Sequence, residues 1–83
     1  MTREEIEEIN PEALLCDGFD EAIIGMAERI NLGPVVAYSV EKIIGTLMSR
    51  DEMSYEDAYE YYNFNIVGAW MGDNTPVFIT TEA

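Results

Sequence analysis

Apolar positions along this chain switch between helical and extended spacing, and each switch marks an element. From Thr2 to Asn10 the residues are polar and acidic, with Ile6 and Ile9 as the apolar positions, which predicts a first helix that buries little and frays easily. Thr2, with Glu5 three residues on, has the form of a capping box, and Pro11 ends any helix there. Ala13-Leu14-Leu15-Cys16 is a short apolar run stopped by the turn signal Asp17-Gly18, and reads as a short strand or the lead-in to one.

Two later segments follow one design. The first runs Ala22-Ile23-Ile24-Gly25-Met26-Ala27, then Asn31-Leu32-Gly33, then Pro34-Val35-Val36-Ala37-Tyr38. The second runs Asn65-Ile66-Val67-Gly68-Ala69-Trp70, then Gly72-Asp73-Asn74-Thr75, then Pro76-Val77-Phe78-Ile79. Each places β-branched and aromatic residues around a Gly/Asn/Asp turn, with a proline opening the return strand, so both read as β-hairpins. A glycine inside each first strand predicts a bulge or a close approach by another group. A helix over Asp20 to Ile30 competes for the first segment, and the match to the second favours the strand.

Two helices are predicted between the hairpins. Over Ser39 to Arg50, Val40, Ile43, Ile44, Leu47 and Met48 form one apolar stripe, with Ser39 as N-cap and Arg50 in the last turn, where a cation suits the helix dipole. The next begins at Ser54, with Asp57 three residues on and Met53 placed to staple onto Ala58, and ends near Asn63. Tyr55, Ala58, Tyr59 and Tyr62 share its inner face. The fold class expected is α+β: one domain over residues 1–83, with an antiparallel sheet of four or five strands built from two hairpins and two central helices packed on one face.

Charge changes this picture from fold to partner. The chain has 83 residues, 17 Asp and Glu against 4 Lys and Arg, no histidine and a formal net charge of −13. Hydrophobic residues make up 48%, enough for a core, so the acidity need not signal disorder. A domain this negative repels nucleic acid and anionic membranes and attracts basic surfaces, which predicts a partner with a positive working surface and no direct nucleic-acid or membrane contact. No apolar run approaches the roughly 20 residues that span a bilayer, and Met1-Thr2-Arg3-Glu4-Glu5 lacks the features of a signal peptide, so a cytoplasmic setting is expected.

Catalytic chemistry has few footholds. Without histidine there is no Ser-His-Asp or Cys-His arrangement, and the scattered glycines make no phosphate-binding loop. Cys16 is the one cysteine; it has no disulfide partner and no neighbouring cation, and reads as a half-buried structural thiol. Asp17, Asp20 and Glu21 cluster in a loop but lack the ligand spacing of a calcium site, so a solvated turn is the simpler reading. No enzyme, cofactor or metal is expected. The second cluster, Asp51, Glu52, Glu56, Asp57 and Glu60, surrounds a helix start. Dipole placement explains Glu56 and Asp57 but neither Glu60 nor the missing lysines, and a partner-facing acidic ridge competes with it. Tyr59 and Tyr61 would supply aromatic anchors beside that ridge, in an acid-and-tyrosine composition suited to interfaces. Trp70 reads as core or hairpin cover.

The stretches Asp17 to Gly25, Met53 to Asn65, and Gly68-Ala69-Trp70 with Thr75-Pro76-Val77-Phe78 resemble a family of small acidic proteins common in bacteriophage and prophage genomes. The resemblance spans about Glu12 to Ile79. It implies a phage setting but no catalytic residue or cofactor. Similar sequences tend to carry a basic residue after the first return strand, where this chain has Val40-Glu41-Lys42. Small acidic phage proteins are similar, as a group, to inhibitors of host defence nucleases, including anti-CRISPR and DNA-mimic proteins. The function this implies is inhibition of a host defence nuclease complex through its nucleic-acid-binding surface, in the host cytoplasm. The contacts would be Asp51, Glu52, Glu56, Asp57, Tyr59, Glu60 and Tyr61, with Asp17, Asp20 and Glu21 as a second patch. The alternative is a small structural or accessory phage protein that self-associates, as a homodimer or larger assembly, through hairpin edges, its acidity serving solubility.

Overall fold

The structure is a computed structural model that describes residues 1–69 and 71–81. Helix α1 (Arg3–Ile9) is followed by a single 3-10 turn (Asp20–Ala22), strands β1 (Ile23–Arg29) and β2 (Leu32–Ser39), helices α2 (Val40–Arg50) and α3 (Tyr55–Tyr62), a π-helical turn (Asn63–Val67) and the short strand β3 (Val77–Ile79). The α+β class holds. The sheet has three strands among the described residues, in the order β1-β2-β3, and it is mixed.

The first hairpin forms as expected, with a turn that starts one residue early and is one residue shorter. Arg29 pairs with Leu32, leaving Ile30-Asn31 as the loop; Asn31 takes the left-handed conformation (φ 62°) that a tight hairpin loop needs and that Asn tolerates. Pro34 therefore lies inside β2, where its carbonyl accepts a 2.7 Å hydrogen bond from the Asn10 side chain. The register slips between Ile23 and Gly25, so the bulge expected at Gly25 is present, with φ 153° at the glycine. The helical alternative over Asp20 to Ile30 survives only as the 3-10 turn before β1.

The second hairpin does not form. Residues 63–67 continue α3 as a π turn, and Val77–Ile79 join β2 in parallel, pairing Ala37 with Val77, Tyr38 with Phe78 and Ser39 with Ile79. The cause lies in the helix. Ala58, Tyr62 and Ile66 recur every four residues toward the core, so helical burial persists past Asn63 and outweighs the β propensity of Ile66-Val67. With α2, α3 and a loop between β2 and β3, the return strand arrives in the parallel sense, as a long crossover permits. Ala13–Cys16 is likewise no strand; Leu14 N–H bonds the Asn74 carbonyl and Cys16 N–H bonds the Tyr38 hydroxyl.

The core is one cluster that includes Ile6, Phe19, Ile23, Val36, Tyr38, Ile43, Leu47, Ala58 and Tyr62. Central strand β2 is buried on both faces from Val35 to Ser39. Residues Val40, Ile43, Ile44 and Leu47 of the α2 stripe are buried, with Met48 at its exposed edge. Ser39 and Ser54 cap α2 and α3 through the N–H groups of Lys42 and Asp57. Helix α1 does more than expected: both bonds of its capping box form and Ile6 enters the core, while Ile9 stays exposed. Phe78 stacks on Tyr38 (5.9 Å between centroids) and meets Tyr62 edge-on (5.7 Å), which ties β3 to both the hairpin and α3.

Candidate protein-binding surface

The chain's three arginines decide much of where its negative charge is left uncompensated. Arg3 reaches from α1 to Asp20 (2.8 Å) and Asp17 (3.4 Å), and holds the Asp20 carboxyl below its usual range chiefly through their hydrogen bonds. Arg50 pairs with Asp51 (3.1 Å), lowers its pKa in the same way, donates to the Gly18 carbonyl and lies 5.0 Å over the Phe19 ring. The Arg29 guanidinium donates to the backbone carbonyls of Gly33 and Asp73. Two acids of the expected second patch, Asp17 and Asp20, are thus partly neutralised, and so is Asp51 of the first; Glu21 is exposed beside them.

Helix α3 differs. Glu56, Asp57 and Glu60 are exposed, and among the described residues none of them has an ion-pair partner. Glu52, in the turn that joins α2 to α3, takes a left-handed conformation (φ 55°), which turns the chain so that the Met53 N–H returns to the Leu47 carbonyl. The structure therefore gathers Glu56, Asp57 and Glu60 on one helix and sets Asp17, Asp20 and Asp51 against arginines.

The two tyrosine anchors separate. Tyr59 is half-buried, with its ring 5.0 Å from Tyr55 and 6.1 Å from Tyr62, and the neighbouring Tyr55 leads the causes that raise its pKa. Its place is in an aromatic row that runs from the surface at Tyr55 through Tyr62 to Phe78. Tyr61 is exposed and borders two depressions at once. One is shallow and is lined by Met53, Asp57, Glu60, Tyr61, Phe64 and Asn65. The other, of about 270 Å³, has Leu14, Leu15, Phe19, Ile66 and Phe78 in its lining and shares Tyr61 and Asn65 with the first. Cys16 lines this second depression, and half-burial raises its thiol pKa, in keeping with a structural role.

Phe64 (77% exposed) and Met71 (71% exposed) stand at the margins of these depressions; in the sequence they fall just outside the two ends of the strand expected over residues 65–70, where local spacing assigns no face. Continuing the α3 spacing past Asn63 would have exposed Phe64 on the helix surface. Trp70 lies outside the described residues. Among the described residues no group of three or more His, Cys, Asp or Glu is placed to hold a metal ion, and no helix is long and apolar enough to cross a membrane. Comparison of the chain with protein-family models, with curated proteins and with solved structures gave no match.

Proposed function

We propose that this chain is a non-catalytic binding protein that docks its α3 face on a basic protein surface, in the manner of a phage-derived inhibitor that occupies the nucleic-acid-binding groove of a host defence nuclease complex in the host cytoplasm. The observation that carries this reading is the pairing on one face of uncompensated carboxylates (Glu56, Asp57, Glu60) with exposed aromatic area at Tyr61 and Phe64. Carboxylates speed encounter with a Lys/Arg surface, and the aromatic rings provide area that excludes water once contact is made. Arg3 and Arg50 withdraw Asp17, Asp20 and Asp51 from this role, which narrows the working surface to α3 and the turn that follows it.

Self-association through hairpin edges fits less well. The outer edge of β1 is broken by the bulge at Gly25, a device that blunts edge-to-edge pairing, and two copies at −13 each repel one another.

The test is competition. The chain is added to purified defence-nuclease effectors loaded with fluorescent guide or target nucleic acid, at low and at high salt. Displacement that weakens with salt is expected for at least one effector. A variant with Glu56→Gln, Asp57→Asn and Glu60→Lys should lose it; neutral residues are used in the first turn because lysines there oppose the helix dipole. Displacement that survives the triple change assigns binding to another face, and no displacement from any effector rejects the proposal.

A further inference from the structure

The second depression bears on what the partner must carry. Its floor is apolar and half-buried to buried, formed by Leu14, Leu15, Phe19, Ile66 and Phe78, and it opens between the π turn and the loop that leads to β3. Its volume of about 270 Å³ falls just under the roughly 300–1,000 Å³ of small-molecule sites, a size suited to one large apolar side chain. It shares Tyr61 and Asn65 with the acidic depression on α3, and no Lys or Arg lines either one among the described residues; Arg50, over the Phe19 ring, is paired with Asp51. The carboxylates without an ion-pair partner beside it are Asp57 and Glu60, which line the acidic depression; Asp17, at the margin of the pit itself, is held by Arg3. An apolar pit beside uncompensated carboxylates is complementary to an apolar side chain flanked by cations.

We infer that the groove between the 63–67 turn and the 71–76 loop receives one large apolar side chain from a Lys/Arg-flanked segment of the partner protein, while α3 takes the flanking cations. This rests on the reading of α3 as a surface for basic proteins and adds the anchor to it. Interface energy concentrates where an aromatic or aliphatic side chain fills a dry pocket inside a polar rim, so the groove would set residence time and the acidic helix the rate of encounter.

Two synthetic peptides test it, Lys-Lys-Phe-Lys-Lys and the same peptide with glycine at its centre, titrated into isotopically labelled protein at low salt and followed by amide chemical shifts. The glycine peptide should move signals along Glu56 to Tyr61. The phenylalanine peptide should also move Leu14, Cys16, Ile66 and Ala69, and should bind about tenfold tighter, the ratio expected for burying one aromatic side chain. Ala69→Phe fills the groove from an exposed position; it should bring the phenylalanine peptide down to the glycine peptide's affinity and leave the latter unchanged, its spectrum showing that the fold is intact. Equal affinities, or a phenylalanine peptide that leaves the groove signals in place, overturn the groove inference while the acidic helix stands. Binding of neither peptide overturns both. Groove signals that shift with protein concentration alone identify a second copy of this chain as the occupant and overturn the inference as well.

Discussion

Two glycines in matching sequence contexts mark the difference between the two halves of this molecule. Gly25 follows Ile23-Ile24 and Gly68 follows Ile66-Val67, each ahead of a polar turn and a Pro-Val pair. Gly25 sits in a strand bulge at φ 153°, with open space where a Cβ would be. Gly68 has ordinary helical angles (φ −71°, ψ −7°), and a Cβ there would fall 3.0 Å from the Asn63 carbonyl oxygen and 3.2 Å from that of Phe64. One glycine is required by its backbone angle and the other by its neighbours. A similar local pattern thus ended in a hairpin at one place and a π turn at the other, because what came before the glycine differed. Ile23 is preceded by a single 3-10 turn and free to pair, whereas Ile66 is preceded by a capped helix whose inner face was not yet complete.

The largest test of this contrast is to remove the residue that carries α3 past its expected end. Tyr62 is buried and meets both Tyr59 and Phe78 edge-on. Tyr62→Ala should cost about 3 kcal/mol in urea unfolding, the range of large-to-small core changes. Hydrogen exchange should place the loss unevenly: amides of Val77 to Ile79 lose protection first, while those of β1 and β2 remain slow until global unfolding. Equal loss in both would mean that the hairpin and the returning strand form one cooperative unit, and the contrast would be one of geometry only.

Much of the first half was legible in the sequence, and the reasons are local. The Ser39 and Ser54 caps, the Thr2–Glu5 box, the Val40–Leu47 stripe and the Gly25 bulge each depend on residues within a turn or a strand pair of one another. The parallel placement of Val77–Ile79 depends on Phe78 meeting Tyr38 and Tyr62, contacts between residues far apart in sequence that no window of local spacing contains. The candidate surface divides in the same way. The acids of α3 were legible as an exposed face. The groove beside them joins Leu14, Ile66 and Phe78 from three separate stretches and became visible only in the fold, and the withdrawal of Asp17 and Asp20 depended on an arginine in a helix that looked dispensable.

A second test is chemical. Tyr38 holds the hairpin side of the aromatic cluster; burial pushes its pKa up to about 12, against the opposing effect of the hydrogen bond from the Cys16 N–H. An unfolded tyrosine ionises near pH 10. Below that value both states keep the proton and the stabilisation is complete; as pH rises toward about 12 the unfolded chain loses its proton first, so stability falls. The loss should reach roughly 2 kcal/mol at the top of this window, and Tyr62, raised also by burial, adds to it in the same direction. Tyr38→Phe should flatten most of this alkaline decline while costing about 1 kcal/mol at neutral pH, since the Cys16 N–H loses its acceptor. A decline unchanged by Tyr38→Phe would place the alkaline sensitivity in the α3 tyrosines instead.

The smallest effect is the most discriminating, because it returns to the two glycines with one chemical change at each. Gly25→Ala and Gly68→Ala should each cost about 1–2 kcal/mol, the first through a sparsely populated backbone angle and the second through crowding of two carbonyl oxygens. Similar losses would conceal different causes, and a chain this short can be synthesised with D-alanine to separate them. At position 25 a D-residue reaches φ 153° as readily as an L-residue reaches its mirror image, so D-alanine should recover most of the stability in thermal unfolding. At position 68 D-alanine meets a negative φ that suits L-residues, so it exchanges crowding for backbone strain and should recover little. Recovery at both positions would mean that Gly68 is also held by its backbone angle, and the π turn would then need a cause other than the pull of Tyr62 and Ile66 toward the core.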